Sequence, residues 1–122
     1  MANILLIDDY GDLREMMCLF LKEQGHAVTE ACDGQQAIQC YKDGKFDVVI
    51  TDMLMPNKDG VETIAELRRI NADVRIVVIS GGDRIVPPEV CLEIAKNLGV
   101  KQVLKKPFGL HQLEECIVAA MA

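Results

Sequence analysis

Apolar runs rich in β-branched residues alternate along this chain with segments whose apolar positions recur at helical spacing. NILLI (3–7), AVTEA (27–31), FDVVIT (46–51), VRIVVIS (74–80) and KQVLKK (101–106) predict five strands. LREMMCLFLKEQG (13–25), GQQAIQCYKDG (34–44), VETIAELRRI (61–70), PEVCLEIAKNLG (88–99) and LHQLEECIVAAM (110–121) predict five helices. The central strand runs are apolar on both faces, as parallel strands covered by helices require, and strict alternation implies right-handed crossovers within one sheet. This pattern predicts an α/β three-layer domain. Asp12 with Glu15, Asp33 with Gln36 and Asp59 with Glu62 have capping-box spacing, and Gly25, Gly44 and Gly99 stand where helices should stop. The last helix is expected to run almost to Ala122, making residues 1–122 a single domain with nothing left for an effector domain.

Composition narrows the partners. With 122 residues, half of them apolar, the chain can bury a core, and its net charge of −6 disfavours nucleic acid and anionic membranes. No apolar run approaches the roughly 20 residues of a membrane span, and no signal-peptide pattern opens the chain, which predicts a cytoplasmic location. Cys18, Cys32, Cys40, Cys91 and Cys116 are odd in number and scattered, so they suggest core packing rather than disulfides or zinc. His26 and His111 each lack a second ligand at useful spacing and are expected to be ordinary surface or hydrogen-bonded histidines.

The chemistry gathers at the strand ends. An open parallel sheet collects ligands outside the carboxyl ends of its strands, where strand order reverses. The first strand ends in Asp8 and Asp9, the third in Asp52, the fourth in Ser80 and the fifth in Lys106. Adjacent carboxylates repel, the more so as water is excluded, and a hard cation such as Mg²⁺ offsets that cost with oxygen ligands. A glycine- or hydroxyl-rich first turn would cradle a phosphate, whereas this acidic one would repel it. Taken singly, each residue has a plainer explanation: a helix cap for an aspartate, a turn hydroxyl for Ser80, a surface charge for Lys106. Neighbouring Lys105 is expected on the opposite strand face, at the surface.

In their order and spacing, IDDY, DMLMP, ISGG and KKPF resemble the response-regulator receiver domains of two-component signalling over nearly the whole chain. The resemblance implies a flavodoxin-like, doubly wound five-stranded parallel sheet of order 2-1-3-4-5 with five helices. It makes Asp52 the phosphoacceptor, and Asp9 and Asp52 direct Mg²⁺ ligands. Asp8 would act largely through metal-bound water, and Leu54 would supply a backbone carbonyl. Ser80 falls at the hydroxyl switch position and Lys106 at the lysine position, before a Lys106–Pro107 bond that is usually cis in the family. The implied donor is a histidine kinase or phosphotransfer protein, and the implied output is protein binding or phosphorelay by a monomer or weak dimer. Such a module modifies itself rather than turning over an external substrate.

Three positions depart from the family pattern. Val103 replaces the usual aromatic three residues before the lysine, the GGDRIVPPE stretch is longer than is common, and neither Leu54 nor Gly82 can orient a water. The departures leave open a pseudo-receiver that binds partners without phosphorylation. A haloacid-dehalogenase-type Mg²⁺ phosphatase is the other alternative, but it would need an acid where Leu54 stands.

Overall fold

The computed structural model describes residues 2–52, 60–80 and 88–122. Each apolar run becomes a strand and each run of helical period a helix. The chain order is β1 (Asn3–Ile7), α1 (Gly11–Glu23), β2 (Ala27–Ala31), α2 (Gly34–Asp43), β3 (Val48–Asp52), α3 (Gly60–Ile70), β4 (Ile76–Ser80), α4 (Pro88–Asn97), β5 (Gln102–Lys105) and α5 (Leu110–Met121). All neighbouring strands pair in parallel, in the order β2-β1-β3-β4-β5, the doubly wound arrangement expected.

Side-chain alternation divides the core into two layers. On one face of the sheet Leu5, Ile7, Val49, Ile76 and Val78 pack with Ala37, Ile38 and Tyr41 of α2, Ile64 and Leu67 of α3, and Ala95 of α4. On the other face Ile4, Leu6, Val48, Ile50, Val77, Ile79 and Leu104 pack with Met17, Cys18 and Leu21 of α1 and Leu113 and Ile117 of α5. Every side chain of β3 is buried, which is why FDVVIT reads as continuously apolar at its centre. Val103 is half-buried against the α2–α4 layer, without an aromatic ring.

Helix ends explain which punctuation signals operate. Gly25 (φ 93°) and Gly99 (φ 78°) take the left-handed conformation that terminates α1 and α4. There His26 N–H reaches back to the Leu21 carbonyl, and Val100 N–H to the Ala95 carbonyl, which satisfies the last turn of each helix. Gly44 caps α2 with φ −122°, a conformation open to any residue. Asp33 is a true N-cap: its Oδ1 accepts from Gln36 N–H at 2.8 Å, while Gln36 Oε1 accepts from Cys32 N–H at 2.7 Å. Asp33→Ala should therefore lower stability by about 1 kcal/mol, read from the urea midpoint at unchanged slope.

The Asp12 cap is corrected by the structure. Helix α1 starts at Gly11, its N-cap is Tyr10 without a side-chain cap, and Asp12 lies within the first turn, where its charge complements the dipole. Asp59 lies outside the described residues. Core packing holds for buried Cys18 and for half-buried Cys40 and Cys116, but Cys32 is exposed at the turn after β2, contrary to expectation. His26 is hydrogen-bonded on both nitrogens, Nδ1 accepting from Ala2 N–H at 3.0 Å and Nε2 meeting Glu114 at 2.8 Å. The Cys91 side chain is outside the described set. No helix among the described residues is long and apolar enough to cross a membrane.

Candidate functional site

Strand order reverses between β1 and β3, because the chain leaves β1 for β2 on one side and returns to β3 on the other. The crevice beyond their carboxyl ends receives the last residue of each strand and the turn attached to it. Alternation then aims the side chains. Asp8 continues the row of Ile4 and Leu6, Asp52 that of Val48 and Ile50, and Lys106 that of Leu104, so all three emerge on the α1/α5 side of the sheet.

The geometry brings four of the predicted residues together. Asp8, Asp9 and Asp52 each place a carboxylate oxygen within 4.8 Å of the others. Asp8 is fully buried, Asp52 is 8% exposed and Asp9 is exposed. Lys106 Nζ donates to Asp52 Oδ2 at 3.1 Å, and the Lys106–Pro107 bond is cis. Lys105 is exposed, as the strand register requires. Ser80 ends β4 at the same edge, opposite Lys105, and its side chain is outside the described set. Leu54, Gly82 and most of the longer loop also lie outside the described residues.

Asp8 shows the strain of this clustering. Burial pushes its carboxyl above the ordinary value of 3.8; the Tyr10 backbone hydrogen bond opposes that rise, the charge of Asp52 adds to it, Lys106 opposes it and Asp9 adds again. Oδ1 accepts from Tyr10 N–H at 2.8 Å, whereas Oδ2, though buried, has no hydrogen-bond partner among the described residues. A buried, unsatisfied carboxylate oxygen is rare in folded proteins and calls for a partner. The donor set consists of hard carboxylate oxygens without histidine or cysteine, which suits Mg²⁺ and not zinc. The residues present fit the cation that the acidic turn implies.

Beside Lys106 an apolar recess of about 420 Å³ opens between Leu13, Met16, Pro107 and Phe108. One polar residue here escapes sequence reasoning: Arg14, whose Nη1 donates to the Asp8 carbonyl at 2.6 Å. Its only signal is a basic side chain one turn into the helix that leaves an acidic loop.

A family model described as the response regulator receiver domain matches residues 4–118. The chain belongs to this receiver family. Among curated relatives, the chemotaxis protein CheY of Bacillus subtilis is 32% identical over 116 residues, covering 94% of this chain and 93% of that protein. The DNA-binding transcriptional regulator NtrC of Azospirillum brasilense is 29% identical over 120 residues, which are 98% of this chain but 24% of that protein. Across three other regulators the chain spans 46%, 43% and 52% of their length, so it corresponds to about half or less of many relatives. The solved structure of the chemotaxis response regulator CheY4 of Vibrio cholerae superimposes with a TM-score of 0.87 at 28% identity, covering 98% of each chain. A receiver domain from Clostridium thermocellum gives a TM-score of 0.87 at 26% identity, over 99% of this chain and 94% of the other. The fold is thus the CheY-like, flavodoxin-type receiver fold, and the chain is a receiver domain of two-component signal transduction.

Proposed function

We propose that this receiver accepts a phosphoryl group on Asp52 from a histidine kinase or phosphotransfer protein, in a Mg²⁺-dependent reaction, and signals through protein binding or phosphorelay. The observation that carries the reading is the Asp52 carboxylate, held between the Lys106 ammonium and an acidic pair in which Asp8 Oδ2 has no hydrogen-bond partner among the described residues. An Asp52 oxygen attacks the phosphorus of a phosphohistidine, the P–N bond breaks, and the imidazole leaves with the bonding pair and takes up a proton. The product is an acyl phosphate on Asp52.

Asp8, Asp9, Asp52 and the Leu54 carbonyl would hold the cation. Mg²⁺, when bound, supplies charge neutralisation to the phosphoryl oxygens. Lys106 supplies a second, fixed positive charge, close enough to Asp52 to move with it from carboxylate to phosphoryl oxygen. Ser80, at the edge of β4, is the hydroxyl proposed to hydrogen-bond the transferred group. Exposed Met16, which lines the apolar recess, and exposed Tyr10, which follows the acidic pair in the chain, offer a donor protein contact surface beside the site.

Incubation with Mg²⁺ and acetyl phosphate followed by intact-mass measurement tests the reading. Addition of one phosphoryl group supports it, and an unmodified mass under conditions that label a known receiver favours the pseudo-receiver alternative. The lysines sharpen the test. Lys106→Ala should retain Mg²⁺ binding but slow phosphorylation on the order of a hundredfold, because a preorganised charge at the transferring group is lost. Lys105→Ala should label at the parent rate, and equal losses at both lysines would contradict the site geometry.

A further inference from the structure

We propose that Arg14 is the positioning residue of the acidic loop, holding the Asp8 peptide so that its one free carboxylate oxygen faces the cation site. The inference rests on the reading of Asp8, Asp9 and Asp52 as a Mg²⁺ site. It starts from the polar atoms of Asp8. The N–H donates to the Ala31 carbonyl at 3.1 Å, the carbonyl accepts from Arg14 Nη1 at 2.6 Å, and Oδ1 accepts from Tyr10 N–H at 2.8 Å. Only Oδ2 is left without a hydrogen bond among the described residues. Backbone and side chain are thus fixed from β2, from α1 and from the loop itself, and a carboxylate oxygen of Asp8 lies within 4.8 Å of one from Asp9 and one from Asp52.

Arg14 is itself held. Its Nε donates to Glu30 Oε1 at 3.2 Å, from the edge strand β2, where Glu30 pairs in register with Leu6 two residues before Asp8. Its own N–H closes the first turn of α1 on the Tyr10 carbonyl at 3.0 Å. One guanidinium therefore ties the acidic loop to the strand on one side and the helix on the other. A lysine lacks the guanidinium's planar fork of separate nitrogens and cannot reproduce the pair of contacts made here from Nε and Nη1. The plainer alternative is a partly exposed ion pair with Glu30, which would add little to stability and nothing to the site.

Mg²⁺ titration by calorimetry, on parent and variants whose circular dichroism shows an intact fold, separates the two. Groups that orient metal ligands from behind typically alter affinity by roughly 10–100-fold. Arg14→Lys keeps the charge and loses the fork, so it should weaken Mg²⁺ binding by roughly tenfold. Glu30→Gln should weaken it by a few-fold alone and by nothing further in the Arg14→Lys background, because both act through one guanidinium. A merely structural Arg14 would lower the melting temperature and leave the dissociation constant within about twofold of the parent, and that result overturns the inference. If Arg14→Lys does not fold, Glu30→Gln decides alone, with parent-like affinity counting against the inference. A parent that binds no Mg²⁺ at all refutes the site reading beneath it instead.

Discussion

Asp52→Asn should lose phosphoryl incorporation down to background while keeping the fold. The asparagine matches the aspartate in shape but offers no anionic oxygen to attack phosphorus, and the residual reaction of the remaining machinery is expected to be negligible. The substitution reduces the 3.1 Å Lys106 ion pair to a hydrogen bond from the ammonium to a neutral amide oxygen, but it also removes one of the charges that oppose ionisation of Asp8. The two effects offset each other in stability, so the melting temperature should stay within a few degrees of the parent. Intact mass after exposure to Mg²⁺ and acetyl phosphate measures the first quantity and a thermal melt the second. A folded variant that still gains one phosphoryl group would move the acceptor to another carboxylate, with Asp9, the exposed member of the cluster, the first to examine.

The parts of this molecule legible in its sequence are those in which one residue type serves a single local purpose. NILLI and AVTEA match β1 and β2 in full because strand identity here is set by apolar content and β-branching, without a competing signal. Asp33 is readable as a cap because its hydrogen bond closes three residues away. Asp12 has the same spacing to its glutamate and yet is no cap, because tertiary demand decides where α1 starts. The loop from Asp8 to Tyr10 must turn its carboxylates into the crevice, and the helix can then begin at Gly11, before the capping signal. The rim of acids and lysine is legible because each residue stands at a strand end and strand ends share one edge. Arg14 is not, since its meaning lies in a backbone carbonyl and an edge-strand glutamate sixteen residues on, and neither leaves a mark at position 14. Cys32 departs from expectation for a related reason: composition assigns cysteine to the core, but only the register of β2 puts this one past the strand end.

Removing the metal should cost the fold measurable stability, and Asp8 explains why. A carboxyl whose native pKa lies above its ordinary 3.8 binds more protons in the native state than in the unfolded one between those two values. Stability contributed by Asp8 therefore falls as pH rises through that window, and the penalty is complete once pH exceeds the native value, where burial and the neighbouring Asp52 oppose its charge. A bound cation lifts the penalty. At ~100 times its dissociation constant Mg²⁺ should add about 2.7 kcal/mol by mass action, on the order of 10 °C in melting temperature for a domain of this size. Asp8→Asn should raise the metal-free melting temperature by a few degrees, because the amide oxygen can still accept from Tyr10 N–H while the amide nitrogen can donate toward Asp9 and Asp52. The same variant should lose most of the Mg²⁺ response and part of the destabilisation seen on raising pH from the acid side. Thermal melts of parent and variant, with and without millimolar Mg²⁺ across that pH range, provide the measurement. A variant less stable than the metal-free parent would mean that the buried carboxylate of Asp8 is held by the fold for its own sake, and that its unpaired oxygen is not kept for a cation.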